Sequence, residues 1–272
     1  PELATQAAQR ALESARIQPA EVDAVLVATC AGYLCPGLTS HVAERLGLRA
    51  SVTALDLVGL GCGAALPVLA QARALLLAGG ARQVLCICVE VCSAALYLDD
   101  DPGVLVSACL FGDGAAAVIC ASEPAAHARR LRWHTNASTL VPSERENLRF
   151  ETRGGMLRNI LTADVPATAA RHVGALATDM LGEAGLGREH IRAWILHPGG
   201  RDVLLELEWS LGLGESDLRH SAAVLRAHGN MSSPSVLFVL ADALAADAPA
   251  GWWWLSAFGA GFSAHGALVE AG

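Results

Sequence analysis

Cys62 stands between two glycines in "LVGLGCGAALPVLAQARALLLAGG" (57–80), at the front of a long apolar helical pattern. A free cysteine in an apolar run is ordinarily a small buried hydrophobe, and Cys86, Cys88, Cys109 and Cys120 read that way. Cys62 differs because glycine on both sides lets the backbone turn sharply and leaves room for a ligand. A helix N-terminus beside the sulfur favours thiolate through its dipole and free N–H groups. Pro67 falls early in that helix, where a missing N–H does little harm. His197 follows a buried strand in "WILHPGG", where a proline and two glycines fix a tight turn and clear space around the imidazole. His127, His172 and His220 fall in polar or helical contexts and carry no such signal. Asn230, in "AHGNMSSPSVLF", reads as a helix N-cap or as a third functional group. A thiol, an imidazole and an amide are the parts of nucleophilic catalysis through sulfur.

The elements that must position them alternate between strand and helix, which predicts an α/β layered fold. Helices are expected over 3–16, 38–46 and 63–79, and strands over 23–29, 51–57, 84–91 and 114–121. Residues 137–160 are polar and read as an irregular loop over the surface or a cavity. The order then repeats. A helix near 167–184 leads to the strand "RAWIL", a helix over 200–211 and a long helix after Asn230; "GWWWLSAF" and "AHGALVEA" are two strands around "FGAG". Cys62 and Asn230 lie 168 positions apart, and the same offset sets Val27 opposite Ile195. An internal duplication of this size predicts two halves, 1–125 carrying Cys62 and 126–272 carrying His197 and Asn230. In open α/β sheets ligands gather beyond the carboxyl ends of the strands, so all three side chains could converge there.

Composition narrows the function. The 272 residues are 53% hydrophobic and 17% charged, with no lysine and a formal net charge of -8. There is no basic run and no aromatic-interleaved basic stripe, which argues against nucleic-acid binding. No uninterrupted apolar stretch is long enough for a membrane span, and no signal-peptide pattern opens the chain. Most of the eight cysteines sit in apolar runs, as reduced thiols do in a cytoplasmic protein, and Cys86, Cys88 and Cys92 lack paired zinc-site spacing.

With cysteine, histidine and asparagine in this order, the motifs "GCGAA" (61–65), "LFGDGAAAVI" (110–119), "DVPA" (164–167), "WILHPGG" (194–200), "GNMSSPSVLFVL" (229–240) and "FGAGFS" (258–263) resemble the type III polyketide synthases, the chalcone-synthase-like branch of the thiolase superfamily. The resemblance runs over essentially the whole chain. It implies a duplicated thiolase-like αβαβα fold and a Cys62-His197-Asn230 triad. It places Phe111 between a coenzyme A tunnel and the reaction cavity, and Cys30, Ser232 and Gly259 at the cavity. A second family phenylalanine falls on Asn159 here, and a cavity-lining glycine of plant members falls on Phe150. The implied substrates are malonyl-CoA and an acyl-CoA starter, with no other cofactor. The implied assembly is a homodimer in which the loop "AGYLCPG" (31–37), with Cys35, reaches toward the partner. Family members also carry a further segment upstream of Pro1. The first half is therefore expected to lack its opening strand, whereas the second has one near 129–135, and coenzyme A binding by this chain is expected to be weak.

The reaction class asks for these residue types. A thiolate must accept an acyl group, so the thiol pKa, about 8.5 when free, must be lowered, and the helix terminus and an imidazolium at His197 would do that. Loss of carbon dioxide from a malonyl thioester puts negative charge on the thioester oxygen. N–H donors from His197 and Asn230 would stabilise it, each worth about 3–4 kcal/mol. The competing readings are a ketoacyl-carrier-protein synthase III, a papain-type hydrolase and a non-catalytic scaffold. "HPGG" and "GNMSS" argue against the first, the duplication against the second and the intact triad against the third.

Overall fold

The computed structural model describes residues 1–32, 34–95, 100–123, 129–154 and 156–272. Tyr33 of the partner-reaching loop and the expected 125/126 boundary lie outside them.

β1 (Ala24–Thr29) is apolar from Ala24 to Ala28 because it is covered on both faces. Val25 and Val27 pack outward against α1 (Glu2–Ala15) and α2 (Leu38–Leu46), while Ala24, Leu26 and Ala28 face the molecular centre. β3 (Gln83–Glu90) divides its residues the same way: Leu85, Ile87 and Val89 outward, Val84, Cys86 and Cys88 inward. With β2 (Thr53–Val58) and β4 (Gly114–Ala121) they form a sheet of order β2-β1-β3-β4, in which β4 alone is antiparallel to its neighbour. Period-2 alternation in a strand buried on both sides erases the amphipathic signal and leaves a continuous apolar run.

The second sheet has the order β5-β10-β9-β8, built from β5 (Leu131–Leu140), β8 (Ile191–Leu196), β9 (Gly251–Gly259) and β10 (Ser263–Ala271). β8 and β9 are parallel and β9 and β10 antiparallel, repeating the path of β1, β3 and β4. Its outer face is covered by α5 (Val165–Glu183) and α6 (Arg201–Leu211), through Trp194, Leu196, Trp254 and Phe258. Between the sheets lie α3 (Ala65–Leu77) and α8 (Ser235–Ala245), whose Val68, Leu69, Val236 and Val239 join one core with Leu26, Cys86, Ile195 and Trp253. The layers are therefore αβαβα, as expected. The halves differ at their edges. β5 flanks β10, but among the described residues no strand flanks β4, and α7 (Arg219–His228) stands where the first half has β2.

Three sequence expectations are corrected. The stretch 137–160 is not a loop: it finishes β5 and makes the hairpin of β6 (Leu148–Arg153) and β7 (Met156–Leu161). Its alternation of Leu148 and Phe150 with Arg149 and Glu151 is a strand pattern whose outward charges pair with one another. α4 (Pro102–Leu110) and α7 are helices that the sequence reading passed over. Asn230 caps no helix, since α8 begins five residues later behind Pro234.

Candidate active site

The parallel strands β1, β2, β3 and β8 end on one side of the molecule, and the reactive groups follow those ends. Cys30 comes just after β1, Cys62 after β2, Glu90 closes β3, and His197 follows β8. Alternation aims two of them: Glu90 continues the inward row Val84, Cys86, Cys88, and His197 continues Ala193, Ile195.

Cys62 lies in a single 3-10 turn, Gly61–Gly63, ahead of α3. Gly61 has φ +56°, a left-handed conformation that glycine adopts without strain. A methyl group on Gly63 would lie 2.9 Å from the His265 ring and 3.1 Å from the backbone nitrogen of Gly259. The nucleophile turn is thus seated on the second half's β9–β10 strands.

Asn230 is held from three directions. Its backbone N–H donates to the Leu110 carbonyl (2.9 Å), and its carbonyl accepts from Gly112 N–H (3.0 Å), which pins Phe111 alongside. The side-chain Oδ1 accepts from the Ser232 N–H (2.8 Å) and Nδ2 donates to the Gly199 carbonyl (3.1 Å). That pattern fixes which end of the amide is nitrogen and leaves one N–H over. The Asn230 amide and the Ser232 hydroxyl are both placed to donate to the Cys62 sulfur. His197 sits two residues before the Gly199 carbonyl, 1% exposed, its ring edge-on to Phe258 at 5.3 Å. Among the described residues neither of its ring nitrogens has a hydrogen-bond partner.

Burial governs the electrostatics. It pushes the Cys62 thiol up to about 12, with the Glu90 carboxylate adding to the shift against donation from Ser232 and Asn230. Burial also holds His197 down at about 3. Burial thus works against the expected lowered thiol and charged imidazole, whereas donation from Ser232 and Asn230 works for the thiolate. The helix terminus and its donors are present, yet desolvation outweighs them.

Beside Cys62 opens a largely apolar cavity of about 470 Å³. Val104, Ser107, Ala108 and Phe111 line it from one face of α4 and its end, and Leu148, Phe150, Asn159 and Leu161 from one face of the hairpin. Phe150 and Asn159 are directly paired across β6 and β7. Arg158, 6% exposed, ties that hairpin to the start of α4 through Asp101 (2.5 Å).

The first 2–141 residues match the family model "FAE1/Type III polyketide synthase-like protein", and 132–271 match "Chalcone and stilbene synthases, C-terminal domain". The chain belongs to the type III polyketide synthases. It is 33% identical over 98% of its length to the 1,3,6,8-tetrahydroxynaphthalene synthase of Streptomyces peucetius subsp. caesius, spanning 72% of that protein. It is 30% identical over 87% of its length to the 3,5-dihydroxyphenylacetyl-CoA synthase of Streptomyces toyocaensis, spanning 62% of it. Among solved structures, PKS-I of the brown alga Ectocarpus siliculosus superposes with a TM-score of 0.90 at 29% identity, covering 98% of this chain and 73% of that one. The 1,3,6,8-tetrahydroxynaphthalene synthase of Streptomyces coelicolor gives 0.89 at 26%, covering 98% and 76%. These neighbours share the thiolase-like fold.

Within this type III polyketide synthase, Cys30, Phe111, Phe150, Asn159 and Ser232 lie on the cavity wall together with Cys62. Gly259 is a correction: it is buried behind the wall, where a side chain would meet the Leu60 carbonyl and, at 2.5 Å, the Gly63 nitrogen. Cys109 is also corrected, being exposed on α4 rather than buried. Glu90 is the residue that sequence reasoning missed. The available signal was a single acid closing the apolar run "VLCICV".

Proposed function

We propose that Cys62 takes an acyl group from an acyl-CoA starter and that the bound chain is extended by decarboxylative condensation with malonyl-CoA, with no carrier protein. The observation that carries this reading is the fixed Asn230 amide, whose remaining N–H has the Cys62 sulfur for a neighbour. In the loading step the neutral His197 imidazole accepts the Cys62 proton, the sulfur attacks the thioester carbonyl, and coenzyme A leaves as a thiol after taking that proton. In extension the malonyl carboxylate departs as carbon dioxide. The electron pair left behind spreads onto the thioester oxygen, where N–H donors from His197 and Asn230 oppose the charge. The enolate carbon then attacks the acyl group on Cys62 and displaces the sulfur. No side-chain base is required to form the carbanion.

Phe150 and Asn159 support a small or aliphatic starter: the ring fills one wall, and the amide opens and polarises the strand opposite. Assembly as a two-fold dimer is supported by β2, an edge strand with Leu55 40% and Val58 57% exposed, and by the exposed Cys35. The test is incubation with malonyl-CoA and a panel of starters, measuring carbon dioxide release and product masses. Carrier-independent release with polyketide masses is the expected result, and a strict need for an acyl carrier protein would refute it.

A further inference from the structure

Two walls of the cavity beside Cys62 belong to separate elements, and the charges that join those elements lie outside the cavity. α4 presents Val104 and Ser107, and the β6–β7 hairpin presents Phe150, Asn159 and Leu161. Alternation puts Arg149, Glu151 and Arg158 on the hairpin's other face, with Glu151 directly opposite Arg158 across the two strands. None of these three lines the cavity. Charges on the outer face of a ribbon ordinarily stand in water, yet Arg158 is buried.

The Arg158 guanidinium forks between two carboxylates. Its Nη2 meets Asp101 Oδ2 at 2.5 Å, and its Nη1 donates to Glu151 Oε1 at 3.5 Å. Arg149 reaches the other oxygen of Glu151 at 3.4 Å, so two cations and two anions balance along this face. Asp101 is the N-cap of α4, where its Oδ1 accepts from the Gly103 N–H at 2.8 Å. One carboxylate therefore starts the helix and ties that start to the hairpin. The first turn is already close to β7, since a methyl group on Gly103 would lie 3.4 Å from the Leu161 carbonyl.

The other end of α4 is fixed independently. The Leu110 carbonyl accepts from the Asn230 N–H at 2.9 Å, and the Gly112 N–H donates to the Asn230 carbonyl at 3.0 Å. α4 is thus a short bar held at its end by Asn230 and at its start by Arg158. Releasing the start lets the wall carrying Val104 and Ser107 swing away from the hairpin while Phe111 and Asn230 stay in place. A buried guanidinium holds such a spacing well, because its planar fork meets carboxylates only in fixed directions.

We propose that Arg158, acting through Asp101, is a positioning residue that sets the spacing of α4 and the hairpin and so the length of acyl chain the cavity accepts. The role rests on the reading of Cys62 as the site of acyl loading.

The test is the ratio of kcat/KM for octanoyl-CoA and acetyl-CoA as starters, measured on the full chain with malonyl-CoA beside a thermal melt. Arg158→Met removes the charge, keeps much of the stem's bulk and leaves Asp101 exposed to water. It should raise the octanoyl-to-acetyl ratio by about tenfold, the discrimination that about one misfitted methylene produces. Malonyl-CoA decarboxylation should not change, because Asn230 remains pinned. Asp101→Asn keeps an oxygen for the Gly103 cap but loses the ion pair, and should shift the ratio to the same extent. Both variants open one latch, so the double variant should shift no further than either alone, whereas independent losses of packing would multiply. Arg158→Lys keeps the charge and should shift the ratio less than Arg158→Met does. An unmoved ratio, a ratio moved toward acetyl-CoA, multiplying shifts, or an equal shift in Arg158→Lys overturns the proposal. If Arg158→Met does not fold, Asp101→Asn decides on the same ratio: a rise supports the latch and an unmoved ratio overturns it. A wild type that loads neither starter on Cys62 overturns the reading beneath it, a result distinct from turnover with an unmoved ratio.

Discussion

Gly259→Ala should disable the nucleophile without touching substrate. Gly259 ends β9 behind the cavity wall, and its added methyl group would meet the Leu60 carbonyl and lie 2.5 Å from the Gly63 nitrogen and 3.1 Å from the Gly63 Cα. All three atoms are backbone, so no side chain can rotate away. Restoring ordinary contact at about 3.4 Å requires a shift of about 0.9 Å at the Gly63 nitrogen and more than that at the Leu60 carbonyl, and Cys62 lies between them. A displacement of about 1 Å at a reacting atom costs on the order of 100-fold, or about 2.7 kcal/mol of barrier. Overpacking of this kind lowers stability by about 1–3 kcal/mol, which in a chain of this size is about 2–4 °C in Tm per kcal/mol. The assay is malonyl-CoA decarboxylation and product formation beside a thermal melt. Gly182→Ala serves as the control, because Gly182 lies within α5 with nothing within 4 Å of an added Cβ and should gain about 1 kcal/mol in stability. A Gly259→Ala enzyme with kcat within twofold of wild type would refute the seating of Cys62 on β9.

Removing the amide in Asn230→Ala should lower carbon dioxide release from malonyl-CoA by about 100- to 1,000-fold while starter loading on Cys62 persists, checked by headspace carbon dioxide and intact mass. Because burial raises Cys62 to about 12, iodoacetamide labelling of the resting enzyme should climb through the alkaline range rather than level off below pH 7, followed by stopped alkylation. His197 is held down at about 3, so the folded state excludes a proton that the unfolded chain takes up near 6.5. Its contribution to stability is present above pH 6.5 and is lost as pH falls toward 3, which thermal melts across that range would show. Phe150→Gly should lengthen products and Asn159→Phe shorten them, read from product masses; an unchanged distribution in both would exclude the hairpin as the cavity's adjustable wall.

The layered fold was legible because its strands are buried on both faces and so read as uninterrupted apolar runs, as in "DAVLVAT". The site was legible because glycine marks where backbone must pass close to backbone: Gly61, Gly63 and Gly259 interlock. The hairpin was not, because a short amphipathic ribbon carries as many charges as a loop. Only the pairing of Phe150 with Asn159 and the burial of Arg158 reveal it. Glu90 escaped because an acid at a strand end looks like a solvated terminus unless the donors around it are known. The pull of burial on the Cys62–His197 pair was hidden for a related reason. The helix terminus is visible in sequence, whereas the depth of burial that outweighs it is not.

The central claim is that Cys62 carries the growing chain. The direct test is to trap the enzyme with an acyl-CoA starter, digest it and locate the acyl mass increment by tandem mass spectrometry. The account predicts the increment on the peptide containing Cys62 and its absence in Cys62→Ser. An increment on Cys30 or Cys92, or one that survives Cys62→Ser, would contradict it.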